Sequence, residues 1–590
     1  MNNWSLKNLY LGLDDPKFIK DQELLDQSLE MLVKEAKKVA EDSNFSNENV
    51  IKNLENSLIF QEEINMLATK LFAFVSLTLA VDSRNMEFNN AMVVLQQKAV
   101  KFALPETLFR KYVARIENLE NLIKQSELLT EYKFMLNEIK EDSIHLLSEV
   151  EEVMAAELNQ SGGSLFSKQQ NDLTSSVEIN FRGEVKNLAQ IRNLAYVDDQ
   201  ETRKEAYFAE LDAYKKIDKA TAFSLNGIKK QVITMANKRK YDSPLDEALR
   251  LSRINKDVLD ALIQAMKEYL PEFRKYLNRK GELLGHKNGL PFYDLFAPMG
   301  SSNKKYSIEE AKEFVLKNFK TFSDDLYGLA KRAFDEDWVD WTPKQGKRGG
   351  AFCSRIYPLK ESRIMTNYDG SIGDISTVAH ELGHAYHNFI VYNERIFNAD
   401  YPMPIAETAS ILCETIVKKA VLKESKDKNE ILGMIEQELQ DSTQVIVDIL
   451  SRFIFESEVF ARTKNEFLNE DTLNQIMIKA QLESYGDGLD KDFLNPGMWI
   501  NKSHYYSTGR SFYNFPYAFG LLFAKGIYAK YLEIGEDFVE DLRQLLRTTG
   551  KASLIDVAKQ INIDITDVQF WRSSLEVIKK DIELFLDITK

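Results

Sequence analysis

His380, Glu381 and His384 stand in the pattern HExxH, which combines residue types and a spacing that can bind a metal ion. On an α-helix, residues four positions apart lie about 40° apart around the axis and roughly 6 Å apart along it, so both imidazoles can reach one cation. Glu381 then points beside that cation. A carboxylate there can take a proton from a water molecule whose pKa zinc has lowered to about 7. The pattern predicts a zinc site that hydrolyses amide bonds, with Glu381 as the general base.

The motif is unlikely to arise by chance in this chain. Only six histidines occur among the 590 residues, so with about 8% glutamate a random HExxH is expected roughly 0.005 times. Residues 366–374 are rich in turn formers, and residues 375–390 carry apolar side chains at helical spacing without proline. We therefore expect the motif on a helix. The alternative is a pair of core histidines that happen to stand four positions apart.

A catalytic zinc usually has three protein ligands and one open position, so a third ligand must come from elsewhere in the chain. His387 is the nearest histidine, but three residues beyond His384 its ring falls about one turn too far along the helix axis. We expect a structural or supporting role for it. His145 and His286 lie in a helical pattern and a turn, respectively, and are also expected to be structural.

Residues 402–404 predict a turn, and a new helix is expected to follow with Glu407 in its first turn. Small residues flank Glu407 and would let this helix approach the motif helix closely. We expect Glu407 to be the third ligand. Glu414 lies two turns further on the same face and is expected to accept a hydrogen bond from a ligating histidine, which would fix its tautomer. The alternative for Glu414 is a helix carboxylate bonded to an unrelated group.

Helical spacing of apolar residues recurs through most of the chain, so we predict a mainly α protein. A break at residues 159–164 and an alternating, strand-like stretch at 176–181 suggest a lobe boundary near 160–190. The predicted division is an N-terminal helical lobe, 1–190, and a catalytic domain, 191–590. The two lobes can interleave. The segments with the clearest helical spacing are 21–158, 198–239, 255–284 and 307–334, the last opened by a capping-box pattern.

The segment 346–357 is glycine-rich and then extended, and it stands just before the motif helix. We predict a small β-sheet near the metal site. An exposed strand there can pair with the main chain of any peptide irrespective of its sequence, and Gly349, Gly350 and Ala351 are the candidate substrate-binding residues. The alternative is an ordinary turn and hairpin.

Composition narrows the protein class and its partners. Cys353 and Cys413 are too few for a disulfide framework, and residues 1–7 lack the apolar stretch of a signal peptide, so a reducing cytoplasm is predicted. The most apolar run, 71–81, is far short of the roughly 20 residues that span a bilayer, and we expect a buried helix instead. The net charge of −15 disfavours nucleic acid and anionic membranes as partners.

The HExxH motif followed after 22 residues by a block that begins at Glu407 resembles the thimet oligopeptidase and oligoendopeptidase F family of zinc peptidases. Segments 294–298, 346–352 and 504–520 resemble blocks of the oligoendopeptidase F branch, and the resemblance covers about residues 190–585. It implies a two-lobed, helical, zincin-type metallopeptidase with a deep substrate channel and short peptides as substrates. It also implies one Zn²⁺ per chain, bound by His380, His384 and Glu407, with Glu381 as base and proton shuttle.

The oxyanion of a tetrahedral intermediate needs hydrogen-bond donors in addition to the metal, and the aromatic segment 504–517 supplies candidates. The family resemblance implies a histidine and tyrosine loop that closes on substrate, and it maps His504. The tyrosine spacing does not align uniquely, so Tyr513 and then Tyr517 are the candidate donors, with ordinary aromatic core as the alternative. Arg510 can bind a substrate carboxylate, although a surface salt bridge explains it equally well.

The leading hypothesis is a zinc oligoendopeptidase that cleaves internal bonds of short, unfolded peptides. One alternative is a metallocarboxypeptidase on a related helical scaffold, which would need a cation placed to capture a free C-terminal carboxylate. The other is a peptide-binding protein that keeps the fold but has lost catalysis. The sequence leaves open the oligomeric state, the cleavage preference and the upper size of substrates.

Overall fold

The computed structural model describes residues 3–300 and 305–590 and is mostly helical, as the apolar periodicity predicts. The first helices along the chain are α1 (Pro16–Glu41), α2 (Asn47–Val81), α3 (Met86–Ala99), α4 (Ala103–Arg115), α5 (Leu119–Ile123), α6 (Glu127–Glu131), α7 (Lys133–Asp142), α8 (Glu149–Ser161) and α9 (Gly163–Ser176). The later helices are α10 (Leu188–Asn193), α11 (Gln200–Lys238), α12 (Pro244–Leu251), α13 (Lys256–Leu283), α14 (Ile308–Phe322), α15 (Asp324–Asp335), α16 (Ile372–Val391), α17 (Met403–Ala406), α18 (Thr408–Glu424), α19 (Lys428–Thr443), α20 (Ile449–Thr463), α21 (Glu470–Tyr485), α22 (Phe515–Ile534), α23 (Phe538–Thr548), α24 (Leu554–Lys559) and α25 (Val568–Ile588).

The strands form two small sheets. They are β1 (Ile179–Phe181), β2 (Glu184–Lys186), β3 (Val339–Asp340), β4 (Phe352–Ile356) and β5 (Glu361–Met365). β1 and β2 make an antiparallel hairpin whose two turn residues, Arg182 and Gly183, have φ of 51° and 84°, as a tight hairpin turn requires. The second sheet has the order β3-β5-β4, with β3 parallel and β4 antiparallel to β5. β4 is therefore an edge strand, and the small sheet predicted before the motif helix is confirmed.

The buried apolar residues separate into clusters that follow the chain. Residues 177–585 contribute to one large core, which includes the helices of the motif region. A second core combines residues 4–95 with Ile356 and Met365 of the sheet, and a third draws on residues 50–139. The N-terminal helices therefore have cores of their own and reach the rest of the molecule partly through β4 and β5. The boundary at residue 190 stays a prediction.

Two predicted elements differ from the structure. The segment 307–334 is two helices, because Ser323 has an extended backbone and its side chain caps α15 by accepting from Leu326 N at 3.1 Å. The break predicted at 159–164 is confined to Gly162, which has φ of −105° and ψ of −106°, and α9 continues the helical path to Ser176. The apolar periodicity therefore does not predict where these helices end. The cap at Ser323 and the backbone conformation of Gly162 determine those positions.

The apolar run 71–81 is the C-terminal part of α2, a helix of 35 residues. α2 is long and apolar enough to cross a membrane by length and composition, but half of its most apolar 18-residue window is buried inside the protein. Leu71, Phe74 and Leu77 belong to the N-terminal core. The predicted buried helix is therefore present, although it is longer than the apolar run indicates.

Candidate metal centre

The HExxH motif lies on α16, whose start is fixed by reciprocal hydrogen bonds. Ser371 Oγ accepts from Asp374 N at 3.1 Å, and Asp374 Oδ2 accepts from Ser371 N at 3.0 Å. The same carboxylate also accepts from the backbone of Asp369 and Gly370, at 3.0 and 3.1 Å. This capping box satisfies N–H groups that the first helical turn leaves unpaired. The predicted motif helix is confirmed, and the capping residues before it determine where it begins.

α18 packs against α16 at very short range, and Gly383 is the reason. A Cβ atom at Gly383 would lie 2.5 Å from both Ala409 O and Ser410 Cα. Such distances are too short for any other side chain. The sequence predicts the close approach from small residues on α18. The structure adds that Gly383, the residue just before His384, must itself lack a side chain.

This close packing brings His380, His384 and Glu407 together. One potential ligand atom from each lies within 4.8 Å of the others. Glu407 Oε2 is 3.2 Å from His380 Nε2 and 3.3 Å from His384 Nε2, and the two imidazole rings are inclined at 81°. Two imidazole nitrogens and one carboxylate oxygen are a donor set that suits zinc. Among the described residues, no other group of three such side chains converges in this way.

Glu407 lies at the junction of α17 and α18 rather than in the first turn of a helix, which corrects the sequence-based placement. Its backbone has φ of −89° and ψ of 1°, outside the helical region, and it occupies the cap position of α18. Ser410 Oγ donates to Glu407 Oε2 at 2.7 Å and so orients the carboxylate.

The site has strongly shifted pKa values that reflect its paired groups. Burial raises the pKa of Glu407, but hydrogen bonds from His380 and His384 outweigh burial and hold it far below its usual range. Burial lowers the pKa of His380, yet its contacts with Glu407 and Glu414 raise the value to about 10. A divalent cation would take the place of that imidazole proton between the same donor atoms.

Glu414 contacts His380 from the side opposite to Glu407. Its Oε2 lies 3.0 Å from His380 Nδ1, which leaves Nε2 facing Glu407. Burial raises the pKa of Glu414, but the charges of Lys418 and His380 outweigh it and lower the value to about 2. The predicted contact between Glu414 and a motif histidine is present in the structure.

A chain of buried charges behind Glu414 has no counterpart in the sequence-based site. Lys418 forms ion pairs with Glu414, at 2.5 Å, and with Glu438. Glu438 also pairs with Lys525 at 2.7 Å. The spacing of Glu414 and Lys418, four residues apart on one helix, could have revealed the first pair. Glu438 and Lys525 come from α19 and α22, and no local pattern indicates them.

Glu381 is 6% exposed, and its Oε2 is buried without a hydrogen-bond partner among the described residues. Burial raises its pKa, and the nearby positive charges of His380 and His384 lower it in part. A carboxylate that is held next to the ligand cluster with one oxygen unused is suited to accept a proton.

The aromatic segment brings His504, Tyr513 and Tyr517 together. The hydroxyl groups of Tyr517 and Tyr513 are 3.0 Å apart, and the His504 ring centre is 6.2 Å from that of Tyr513. Burial and the Tyr513 contact raise the pKa of Tyr517, and the negative charge of Glu407 adds to this. A Cβ atom at Gly520, three residues further along α22, would lie 3.5 Å from Glu407 Cβ, so this part of α22 lies beside the metal centre. Arg510 lies over the Tyr513 ring at 5.5 Å and has no ion pair within the described ranges. The surface salt bridge considered for Arg510 is therefore absent there.

His504 is kept neutral by its surroundings. Burial lowers its pKa to about 3, with a contribution from three cations. These cations are Arg452, Lys502 and Lys229. Its Nε2 atom is buried without a hydrogen-bond partner in the described chain. A neutral imidazole with one nitrogen unused can donate or accept a hydrogen bond, depending on its tautomer.

Gly349, Gly350 and Ala351 form the loop that leads into the edge strand β4. Gly350 has a φ of 78°, which favours glycine, and its carbonyl accepts from Asn367 Nδ2 at 2.8 Å. A Cβ atom at Gly349 or Gly350 would meet nothing within 4 Å, so the loop faces open space. Their role in substrate binding stays a prediction.

A cleft of about 1040 Å³ lies between the N-terminal helices and the sheet. Phe72 and Phe109 line it from the N-terminal helices, and Ser354 and Arg355 line it from β4. β4 also packs against α16, which carries the motif. None of His380, His384 and Glu407 lines this cleft, so a substrate channel that passes the metal cluster stays a prediction.

The other histidines lie outside the metal centre. His387 is fully buried, its Nε2 is 3.0 Å from Thr549 Oγ1, and its ring stacks on Tyr401 at 3.9 Å. His145 Nδ1 contacts the backbone of Arg239 at 2.7 Å, and His286 Nε2 contacts Asp294 Oδ2 at 2.6 Å. The structural roles expected for these histidines agree with these contacts.

Comparison with known proteins identifies the family. A family model described as peptidase family M3 matches residues 193–577, and one described as oligopeptidase F matches residues 115–178. The oligoendopeptidase F homolog of Borreliella burgdorferi is 28% identical over 540 residues, which cover 87% of this chain and 88% of that protein. The sequence-based resemblance is thereby confirmed.

Two solved structures share the fold. The structure of a candidate peptidase from Chlamydophila abortus has a TM-score of 0.85 at 23% identity and covers 100% of this chain and 98% of that chain. The oligoendopeptidase-F structure from Enterococcus faecium has a TM-score of 0.70 at 18% identity and covers 96% of this chain and 99% of that chain. Because the family model spans more than half of its length, the chain belongs to peptidase family M3, in the oligoendopeptidase F branch.

Proposed function

We propose that this peptidase is a zinc-dependent oligoendopeptidase that hydrolyses internal bonds of short, unstructured peptides, with one Zn²⁺ per chain. The observation that carries the proposal is the convergence of His380, His384 and Glu407 within 4.8 Å beside the buried carboxylate of Glu381. The two-nitrogen, one-oxygen donor set fits zinc and leaves one position open for a reacting group.

Zinc, when bound by these residues, supplies a Lewis acid that polarises the scissile carbonyl and lowers the pKa of water. Glu381 accepts the proton of the attacking water and then delivers it to the leaving nitrogen. Glu414 holds His380 through Nδ1, so that Nε2 stays directed at the cation. His504, which is neutral, and the Tyr513–Tyr517 pair donate hydrogen bonds to the developing oxyanion.

Two features support short peptides as substrates. The edge strand β4 can add a peptide main chain by backbone hydrogen bonding, which requires no particular side chains. The cleft of about 1040 Å³ that Ser354 and Arg355 of β4 help to line would take the part of an extended peptide that runs along this strand away from the metal cluster, whose residues do not line it. Gly349, Gly350 and Ala351 would then keep the entrance to β4 clear, because small residues let another backbone approach closely.

The function is tested by offering the purified, zinc-loaded protein a mixture of random peptides and a quenched peptide that is blocked at both ends. We expect internal cuts in the mixture by mass spectrometry, cleavage of the blocked peptide, and loss of both activities with a chelator and their return with zinc. A metallocarboxypeptidase would remove C-terminal residues and leave the blocked peptide intact. A protein without catalytic activity would leave both unchanged, and either result would refute the proposal.

Tyr517 is the proposed direct donor to the oxyanion, because Gly520, three residues further along α22, lies against the side chain of Glu407, and Tyr513 orients Tyr517. This reverses the order that the sequence favours. Changing Tyr517→Phe is expected to lower kcat by about 10²-fold or more with little change in KM, since the lost bond forms in the transition state. The matched control is Tyr531→Phe, about 21 Å further along α22. Equal effects of the two changes on kcat would contradict this assignment.

A further inference from the structure

A second cavity, of about 200 Å³, lies next to the segment that carries His504. Its wall includes Lys502, residues of α10, α11 and α13, and the end of α19. None of the residues that form the metal cluster lines it. Since a water molecule needs only about 10–15 Å³ of such space, the cavity is large enough for a small polar ligand.

The charges that line this cavity do not balance. Arg192 Nε lies 3.4 Å from Glu210, and Arg452 forms an ion pair with Asp448. The ammonium group of Lys502 has no ion pair or hydrogen bond to any residue in the described chain, and both carboxylates of the wall are already paired with an arginine. Lys502 is partly buried, and an ammonium group that is partly withdrawn from water is costly unless an opposite charge compensates it.

The pKa of Lys502 agrees with a missing negative charge. Burial lowers it to about 7, and the positive charge of Arg452 lowers it further. Arg192 acts in the same direction, whereas Asp448 and Glu210 act in the opposite direction without compensating for burial. A bound anion would supply the charge that the surrounding protein groups do not.

The helix that passes the cavity is distorted at this point. Gln444–Asp448 is a π-helical segment between α19 and α20, and both of its end residues line the cavity. π-helical insertions are rare and are frequently found at functional sites. Five lining residues have a buried polar atom without a hydrogen-bond partner among the described residues: the donors Thr443 Oγ1, Arg452 Nε and Tyr485 OH, and the acceptors Asn495 Oδ1 and Asn501 Oδ1. Such groups normally find a partner, so their presence also indicates a ligand.

We propose that this cavity binds a small oxyanion, either an inorganic one such as sulfate or the carboxylate of a small organic molecule, through Lys502 and Arg452. Ammonium and guanidinium groups both bind such oxygens by charge-assisted hydrogen bonds. Lys502 begins the short turn Ser503–Tyr506, and its carbonyl accepts from Tyr505 N at 3.0 Å. The anion therefore lies two residues from His504. The site does not depend on the proposed peptidase mechanism.

The test measures saturable binding of sulfate and of acetate to the zinc-loaded protein by isothermal titration calorimetry at constant ionic strength. Lys502→Met is expected to weaken binding at least 10-fold, and Lys502→Arg should retain it. The matched control is Lys491→Met, at an exposed lysine. An anion that binds at the zinc ion would bind equally well to the parent protein and to all variants. It therefore does not change the difference in anion affinity between them. Saturation by sulfate alone identifies an inorganic oxyanion, and saturation by acetate identifies a carboxylate.

A second measurement needs no variant. Crystals soaked in selenate should give an anomalous difference peak between Lys502 and Arg452. The proposal is overturned if neither anion saturates the parent protein, if Lys502→Met binds as tightly as the parent, or if selenate is absent from the cavity while sulfate binds in solution.

Discussion

Replacing Glu381 by glutamine is expected to lower kcat by about 10³-fold or more and to leave one zinc ion bound per chain, since positioned proton transfer contributes about 10²–10⁴-fold. Glutamine has nearly the same shape but cannot accept the proton of the attacking water. The fold should tolerate the change, because burial already disfavours the charge of this carboxylate. The measurements are kcat on the doubly blocked peptide and zinc content by elemental analysis.

The control for this change is Glu309→Gln, at a side chain that is 77% exposed on α14 and whose one ion pair within residues 3–300 and 305–590 is with Lys312 at the surface. It should leave kcat and zinc content at the values of the parent, because exposed ion pairs contribute little. If Glu381→Gln cleaved the blocked peptide as fast as the parent protein, Glu381 would not be the base. If it lost zinc, the residue would belong to the metal-binding set instead.

The part of the site that the sequence predicts is the part encoded on one helix. HExxH spacing determines where His380 and His384 point once residues 372–391 are helical, and a capping box ensures that they are. The sequence indicates Glu407 through the turn at 402–404, the helix expected after it and the small neighbours of Glu407, but its position at a helix junction depends on how α17 ends. The local pattern indicates a residue that joins the two histidines in the cluster, but not its backbone conformation.

The remaining features depend on contacts between helices remote in sequence. Glu438 and Lys525 meet behind Glu414 only because α19 and α22 pack against α18, and no periodic pattern encodes that arrangement. The cavity at Lys502 likewise combines residues from 189 to 502. Helical periodicity predicted the long helices α11 and α13 nearly to the residue, and it missed the break at Ser323 because a single serine cap ends one helix and begins another.

Gly383→Ala is expected to reduce zinc affinity and kcat/KM by about 10²-fold each, although alanine is the better helix former. The added Cβ would lie 2.5 Å from the backbone of Ala409 and Ser410, so α18 must move away from α16 by roughly 1 Å to restore normal contact distances. Glu407 directly precedes α18 and would move with it, away from the two imidazoles. Zinc affinity is measured by competition with a chromogenic chelator, and kcat/KM at saturating zinc.

The matched control is Gly373→Ala, ten residues earlier on the same helix, where the nearest atom to a Cβ would be Ser371 Oγ at 3.7 Å. Because nothing obstructs this side chain, alanine should stabilise α16 by up to about 1 kcal/mol through helix propensity and leave zinc affinity unchanged. Overpacking at Gly383 should instead lower the free energy of unfolding by about 1–3 kcal/mol. If Gly383→Ala bound zinc as tightly as the parent protein, the close approach of α18 to α16 would not be what positions Glu407. The distance between these two helices would then not be what assembles the metal centre.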